Sequence, residues 1–221
     1  MVAIHQILRA LLQGVNFFGH AAVASWSTAE PGAVLGAMLP DLATMCGGRI
    51  QSTDDATVEA GIALHHQTDA AFHQLPVVLG LMRELDGELS ERRCARGPRR
   101  AVAHIGVELL LDGVLTEEAP YRAAYLDGLA HEPALVWRDA DEAARFALVL
   151  ERLRTRGVPE DLKRPDAITV RLSRILAHRP LLAPSADDLR AIQGALVAFQ
   201  PRIDVAADTV MRAMRAALDH R

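Results

Sequence analysis

Lysine is nearly missing from this chain. Lys163 is the only one, so arginine supplies almost all the positive charge, a bias of composition rather than of function. Cysteine is scarce too: Cys46 and Cys94 have no CxxC spacing, which excludes a disulfide framework and points to a reducing cytoplasm. Aromatic residues make up only 4% of the sequence while Ala, Leu and Arg abound, so helices are favoured over strands. No charge of one sign dominates, and a net charge of -4 argues against general nucleic-acid binding. Long hydrophobic runs are lacking as well. The apolar stretch from Ile7 to Trp26 is interrupted by Arg9, Gln13, Asn16 and His20, which speaks against a membrane span. No small-residue cleavage site follows a clean apolar segment, so no signal peptide is expected. No internal repeat and no convincing alternating strand pattern stands out along the sequence.

What is present is 221 residues with 50% hydrophobic content, enough to bury a full core in one domain near the upper end of the usual size range. Periodicity and breakers predict a run of helices with short connections. The expected ranges are 4–13, 16–28, 32–45, 54–74, 76–88, 98–116, 120–130, 138–156, 166–178 and 185–218. Pro31, Pro76, Pro98, Pro120, Pro133, Pro159, Pro165 and Pro184 mostly stand where helices begin, because the first turn tolerates a missing N–H. Pro201 is expected to kink or split the last helix. Gly47–Thr53 and Arg92–Pro98 read as surface loops.

The most informative segment is Ala101–Leu115, AVAHIGVELLLDGVL, in which His104, Glu108 and Asp112 are the only polar residues. A step of four on a helix turns about 400°, so the three stack along one stripe that drifts by about 40° per step. The rest of that helix is apolar all round, which places the imidazole and both carboxylates inside the protein, where an unpaired charge costs several kcal/mol. A metal ion would compensate them. A second stripe, His65, Asp69 and His73, runs along GIALHHQTDAAFHQLP, again with a spacing of four. Neighbours at i and i+4 can hold one ion between them, whereas eight residues span about 12 Å, so His65 and His73 are not both ligands of one ion. His65 with Asp69 is the favoured pair, leaving His66 or His73 for a second ion, a supporting role or substrate. His20 and Asp41 also stand in apolar settings. The nitrogen and oxygen set of His20, Asp41, His65, Asp69, His104, Glu108 and Asp112 suits Mn, Fe or Zn rather than Ca. Such an ion supports phosphoester hydrolysis by activating water and neutralising phosphoryl charge. Each group alone also fits a plainer role: His20 as a core hydrogen-bonding residue, Asp41 as a helix or turn cap, Glu108 and Asp112 as partners of buried arginines. His5, His131, His178 and His220 read as solvated or structural.

In this order the residues resemble the acyl carrier protein phosphodiesterase family, also called acyl carrier protein hydrolase. Asn16-Phe17-Phe18-Gly19-His20 resembles its NFLAH, Gly36–Asp41 (GAMLPD) its GNLLxD, Gly61–Asp69 (GIALHHQTD) its GIxxHRxID, and Glu108–Leu115 (ELLLDGVL) its DxxWDHFL. Ile175–Arg179 and Phe199-Gln200-Pro201-Arg202 resemble the family's tail, so the similarity runs from residue 16 to about residue 217. The resemblance implies an all-α bundle similar to the HD-type metal-dependent phosphohydrolases, release of 4'-phosphopantetheine from holo acyl carrier protein, and a divalent ion, with Mn favoured over Fe or Zn. It implies metal or catalytic roles for His20, Asp41, His65, Asp69 and Asp112. Glu108 or His104 would be a further ligand or would orient and deprotonate water, so Asp69, His104 and Glu108 are the candidates for the catalytic step. Asn16 would orient His20, with His66 and His73 as supporting or substrate residues. The chain departs from the pattern at Glu108, Leu111, Gly113 and His66, where the family has Asp, Trp, His and Arg. Either His104 replaces the missing His or this protein does a different job.

Acyl carrier proteins are acidic, and Glu91–Arg100 carries Arg92, Arg93, Arg96, Arg99 and Arg100 immediately before the Glu108 helix. These arginines could dock such a partner, or they could be a solvated charged loop. The alternatives to carrier-protein hydrolysis are a metal-dependent phosphohydrolase acting on a nucleotide or other small phosphoester, and a non-catalytic helical binding module without metal.

Overall fold

The computed structural model describes residues 17–219. The helix expected over 4–13, and Asn16, His5 and His220, lie outside the described residues. Among the described residues the chain is all-α apart from one small sheet. Nine helices run in order: α1 (Phe17–Ala24), α2 (Pro31–Met45), α3 (Ala56–Phe72), α4 (Pro76–Glu91), α5 (Arg96–Leu115), α6 (Ala119–Ala130), α7 (Ala140–Arg156), α8 (Pro165–Leu176) and α9 (Ala186–Asp219). Each overlaps one of the expected ranges. Pro31, Pro76, Pro120 and Pro165 sit in the first turn of their helices, as their missing N–H permits.

Two expectations are corrected. The segment read as the loop Gly47–Thr53 contains a strand, β1 (Ile50–Thr53), paired antiparallel with β2 (Leu135–Trp137). With so few residues and no fully buried face, neither strand shows a two-residue alternation in the sequence. Pro201 does not split α9, which continues through it. The carbonyl that loses its N–H partner belongs to Val197, which is exposed, so water can replace the bond. Smaller shifts have local causes. The helix expected to reach residue 28 ends at Ala24, where the Ser25 and Ser27 hydroxyls donate to the carbonyls of Ala22 and Ala24.

The helices sort into two compact units, each made from two stretches of chain. The first comprises the described residues up to Thr68 together with Leu115–Pro159. Its centre is α2, apolar on every side and buried from Gly32 to Leu39, with α1, α6 and α7 packed on it. Tyr125 of α6 is fully buried against the rings of Phe17 and Phe18. Trp137 of β2 packs on Phe146 of α7.

The start of α3 is held by Asp55, which accepts from the Thr57 and Val58 amides at 2.9 and 3.2 Å and from the His131 imidazole at 2.9 Å. The Thr57 hydroxyl, His131 and the Val58 amide together pull the Asp55 pKa down to about 2. A carboxylate depressed below its ordinary 3.8 stabilises the fold above that value and loses its effect as the pH falls through 2. The Asp55→Asn protein is therefore expected to melt below wild type at about pH 6 and to converge on it towards about pH 2. A melting-temperature gap that stayed constant over that range would refute the assignment.

The second unit comprises Asp69–Val114 and the described residues from Glu160 on. Helix α4 buries Val78, Leu81, Leu85 and Leu89, spaced three or four apart, and packs against α9. Arg202 clamps the same pair by donating to both carboxylate oxygens of Glu84, at 2.7 and 3.2 Å. Asp188 ties the α9 terminus to the turn before α5, accepting from the Ala95 amide at 2.7 Å and the Ser185 hydroxyl at 2.7 Å.

Candidate metal centre

In the first unit the site begins with a contact between two glycines. A Cβ on Gly61 of α3 would stand 2.1 Å from the Ala33 carbonyl oxygen of α2, and one on Gly36 would stand 2.3 Å from the Val58 carbonyl oxygen. Only hydrogen at both positions lets these backbones touch. One turn beyond Gly61 and next to Gly36, the close approach puts His65 Nδ1 2.9 Å from the Ala37 carbonyl oxygen. A carbonyl only accepts, so Nδ1 carries a proton and Nε2 is the nitrogen that a neutral ring would offer an ion.

His20 on α1 is fixed in the same way. Its Nδ1 lies 2.9 Å from the Thr68 hydroxyl, which spends its own proton on the His65 carbonyl at 2.8 Å. The imidazole must therefore donate at Nδ1, so Nε2 is the nitrogen that a neutral ring would offer an ion. His20 Nε2 then faces Asp41 Oδ2 of α2 at 3.9 Å, and the His20 and His65 rings lie 4.0 Å apart. One ligand atom from each of His20, Asp41 and His65 falls within 4.8 Å of the others. Ligands on a tetrahedral Zn-sized ion are about 3.3 Å apart, so a small contraction suffices to close this set on a divalent cation. A ring that donates Nδ1–H to a protein oxygen is the arrangement expected of a histidine that ligates metal through Nε2. His66, next along α3, is exposed and lines a cavity of about 500 Å³ with Pro40, Thr44, Arg49 and Gln51.

The other proposed site residues belong to the second unit. Asp69 is half-exposed, with Oδ1 3.2 Å from His73 Nε2. Glu108 is buried, and its Oε1 lies 3.2 Å from His104 Nε2 and 3.5 Å from His73 Nε2. The alternative of an arginine partner for Glu108 is thus replaced by two imidazoles. His104 corrects the expectation of a wholly interior stripe: its side chain is 50% exposed, while Glu108 and Asp112 are buried. The drift of the stripe around α5 carries its first member out to solvent. The hydrogen bond to Glu108 raises the His104 pKa against the opposing effect of burial. Asp112 is buried on α5 one turn beyond Glu108.

Gly113 stands where the resembling family has His, and a Cβ there would lie 2.3 Å from the Leu162 carbonyl oxygen. The local backbone therefore excludes any side chain at this position. Among the arginines, Arg92 pairs with Glu88 at 3.2 Å and Arg99 with Asp86 at 3.0 Å, whereas Arg93, Arg96 and Arg100 are exposed. Arg96, Arg99 and Arg100 lie in the first turns of α5, which starts earlier than expected, and with Arg83 they line an open cavity of about 760 Å³.

Sequence reasoning missed Thr68. Its only signal is a β-branched hydroxyl three residues after His65, on the apolar side of α3. No family model, curated protein or solved structure matches this chain. No helix among the described residues is long and apolar enough to cross a membrane.

Proposed function

We propose that this protein is a metal-dependent phosphodiester hydrolase, with 4'-phosphopantetheine on holo acyl carrier protein as the first substrate. The observation that carries the reading is the convergence of His20, Asp41 and His65, with both imidazoles held by hydrogen bonds at Nδ1. Two nitrogens and a carboxylate suit Mn, Fe or Zn. A divalent ion bound there lowers the pKa of water towards neutrality and offsets charge on a phosphoryl oxygen. The chain's own part is orientation: Thr68 and the Ala37 carbonyl fix the two rings, and Asp41 supplies the negative charge. Asp69, His104, Glu108 and Asp112 remain the sequence-based candidates for acid, base or further ligand roles. Exposed Arg93, Arg96 and Arg100 offer an acidic carrier protein a complementary surface.

A second reading, hydrolysis of a nucleotide or other small phosphoester, is favoured by Gly113, where the backbone excludes the family's His. Elemental analysis of protein purified without added metal, followed by assay on holo acyl carrier protein and on generic phosphodiesters with Mn supplied, tests both. Metal with release of phosphopantetheine supports the first reading. Metal with cleavage only of small phosphoesters supports the second, and the absence of both metal and hydrolysis overturns them together.

A further inference from the structure

The second unit holds another convergent group that the reading above does not need as a metal site. We propose that His73, His104 and Glu108 bind a divalent ion of the Zn class, with Asp69 beside His73 as a further oxygen donor. One ligand atom from each of His73, His104 and Glu108 lies within 4.8 Å of the others. The set is built from two pairs spaced by four residues, Asp69 with His73 and His104 with Glu108, each at 3.2 Å. That spacing lets two side chains of one helical turn grip a single ion.

The geometry is more specific than a surface ion pair. The His73 and His104 rings stack, with centroids 4.6 Å apart and planes 26° apart, and both aim Nε2 at the same oxygen of a carboxylate that is 7% exposed. The two imidazoles and the buried carboxylate together offer mixed nitrogen and oxygen donors, the set that a divalent cation with a preference for nitrogen takes. Asp69 adds a second negative charge at the more exposed end. Half-exposed His104 gives an ion a way in from solvent. Two nitrogens with one or two carboxylate oxygens match the four-coordinate preference of Zn and exclude Ca, which takes oxygen ligands in larger number.

The test uses the full chain carrying Asp41→Ala, so that uptake at His20 and His65 is impaired and the second group is read by itself. Equilibrium dialysis against Zn is expected to load about one equivalent on this protein and none on the protein that also carries His104→Ala. Substitution with Co is expected to give visible absorption bands of a nitrogen and oxygen site in the first protein and not in the second. His104 is half-exposed, so its loss should leave the helical circular dichroism unchanged. Equal uptake by the two proteins, or no uptake by the Asp41→Ala protein, overturns the proposal. Because Asp41 is absent from both, failure here is separate from failure of the hydrolase reading.

Discussion

Replacing Asp41 with Ala is expected to abolish metal retention in the first unit and to lower phosphodiester hydrolysis roughly a thousandfold, about 4 kcal/mol of transition-state stabilisation. Asp41 contributes the one negative charge of the His20, Asp41 and His65 group, and without it two neutral imidazoles hold a divalent ion only weakly. The effect separates cleanly from folding. Wild type in hundredfold excess of Mn over its dissociation constant gains about 2.7 kcal/mol, a rise of roughly 5–10 °C in melting temperature for a chain of this size. The Asp41→Ala protein is expected to gain none of it at this group, while its melting temperature in chelator matches wild type, since a part-buried carboxylate has been removed rather than an apolar contact. A graded partner is Thr68→Val. It keeps the shape of a buried residue but removes the acceptor of His20 Nδ1–H, and a loss of about 10–100-fold in metal affinity is expected with Asp41 intact. Undiminished metal content and turnover in Asp41→Ala would refute the assignment of this group as the catalytic centre.

How much of this was legible in the sequence differs from residue to residue. His20 and Asp41 stand out as ligand-type residues in apolar settings and His65 as a member of a stripe with a spacing of four, and the structure brings the three together. The all-α class was legible from composition and from proline placement at helix starts. For Asp69 the sequence favours His65 as partner, but a stripe with a spacing of four offers every member a neighbour on each side, and Asp69 faces His73. Likewise His73 lies in the turn after α3 and His104 in α5, and nothing in a one-dimensional pattern records that their rings stack. The strands were invisible because three or four half-exposed residues carry no periodicity. Gly36 and Gly61 were visible as motif letters, but their purpose emerges only from the backbone contact they permit.

Gly61→Ala provides the sharpest test of that contact, because two effects of opposite sign compete. Alanine is favoured over glycine in a helix interior by about 1 kcal/mol, so propensity alone forecasts a more stable α3. Against this, the new Cβ would lie 2.1 Å from the Ala33 carbonyl oxygen and 2.8 Å from the Ala37 amide nitrogen. These are backbone atoms of the buried α2 and cannot rotate away, so α3 must retreat by roughly 1 Å, and overpacking of this kind costs about 1–3 kcal/mol. Sterics are expected to win, with a net loss of about 1–2 kcal/mol in denaturant unfolding. The site suffers more than the fold does. The same retreat stretches the 2.9 Å bond from His65 Nδ1 to the Ala37 carbonyl beyond hydrogen-bonding range, releasing the ring from its tautomer and orientation. Metal affinity is expected to fall by about tenfold or more. Gly80→Ala on α4 is the control, since a Cβ there meets nothing within 4 Å. That protein should be stabilised by up to about 1 kcal/mol, with metal binding unchanged. If Gly61→Ala behaved like Gly80→Ala in both measurements, the close crossing of α2 and α3 would not be what aims His65.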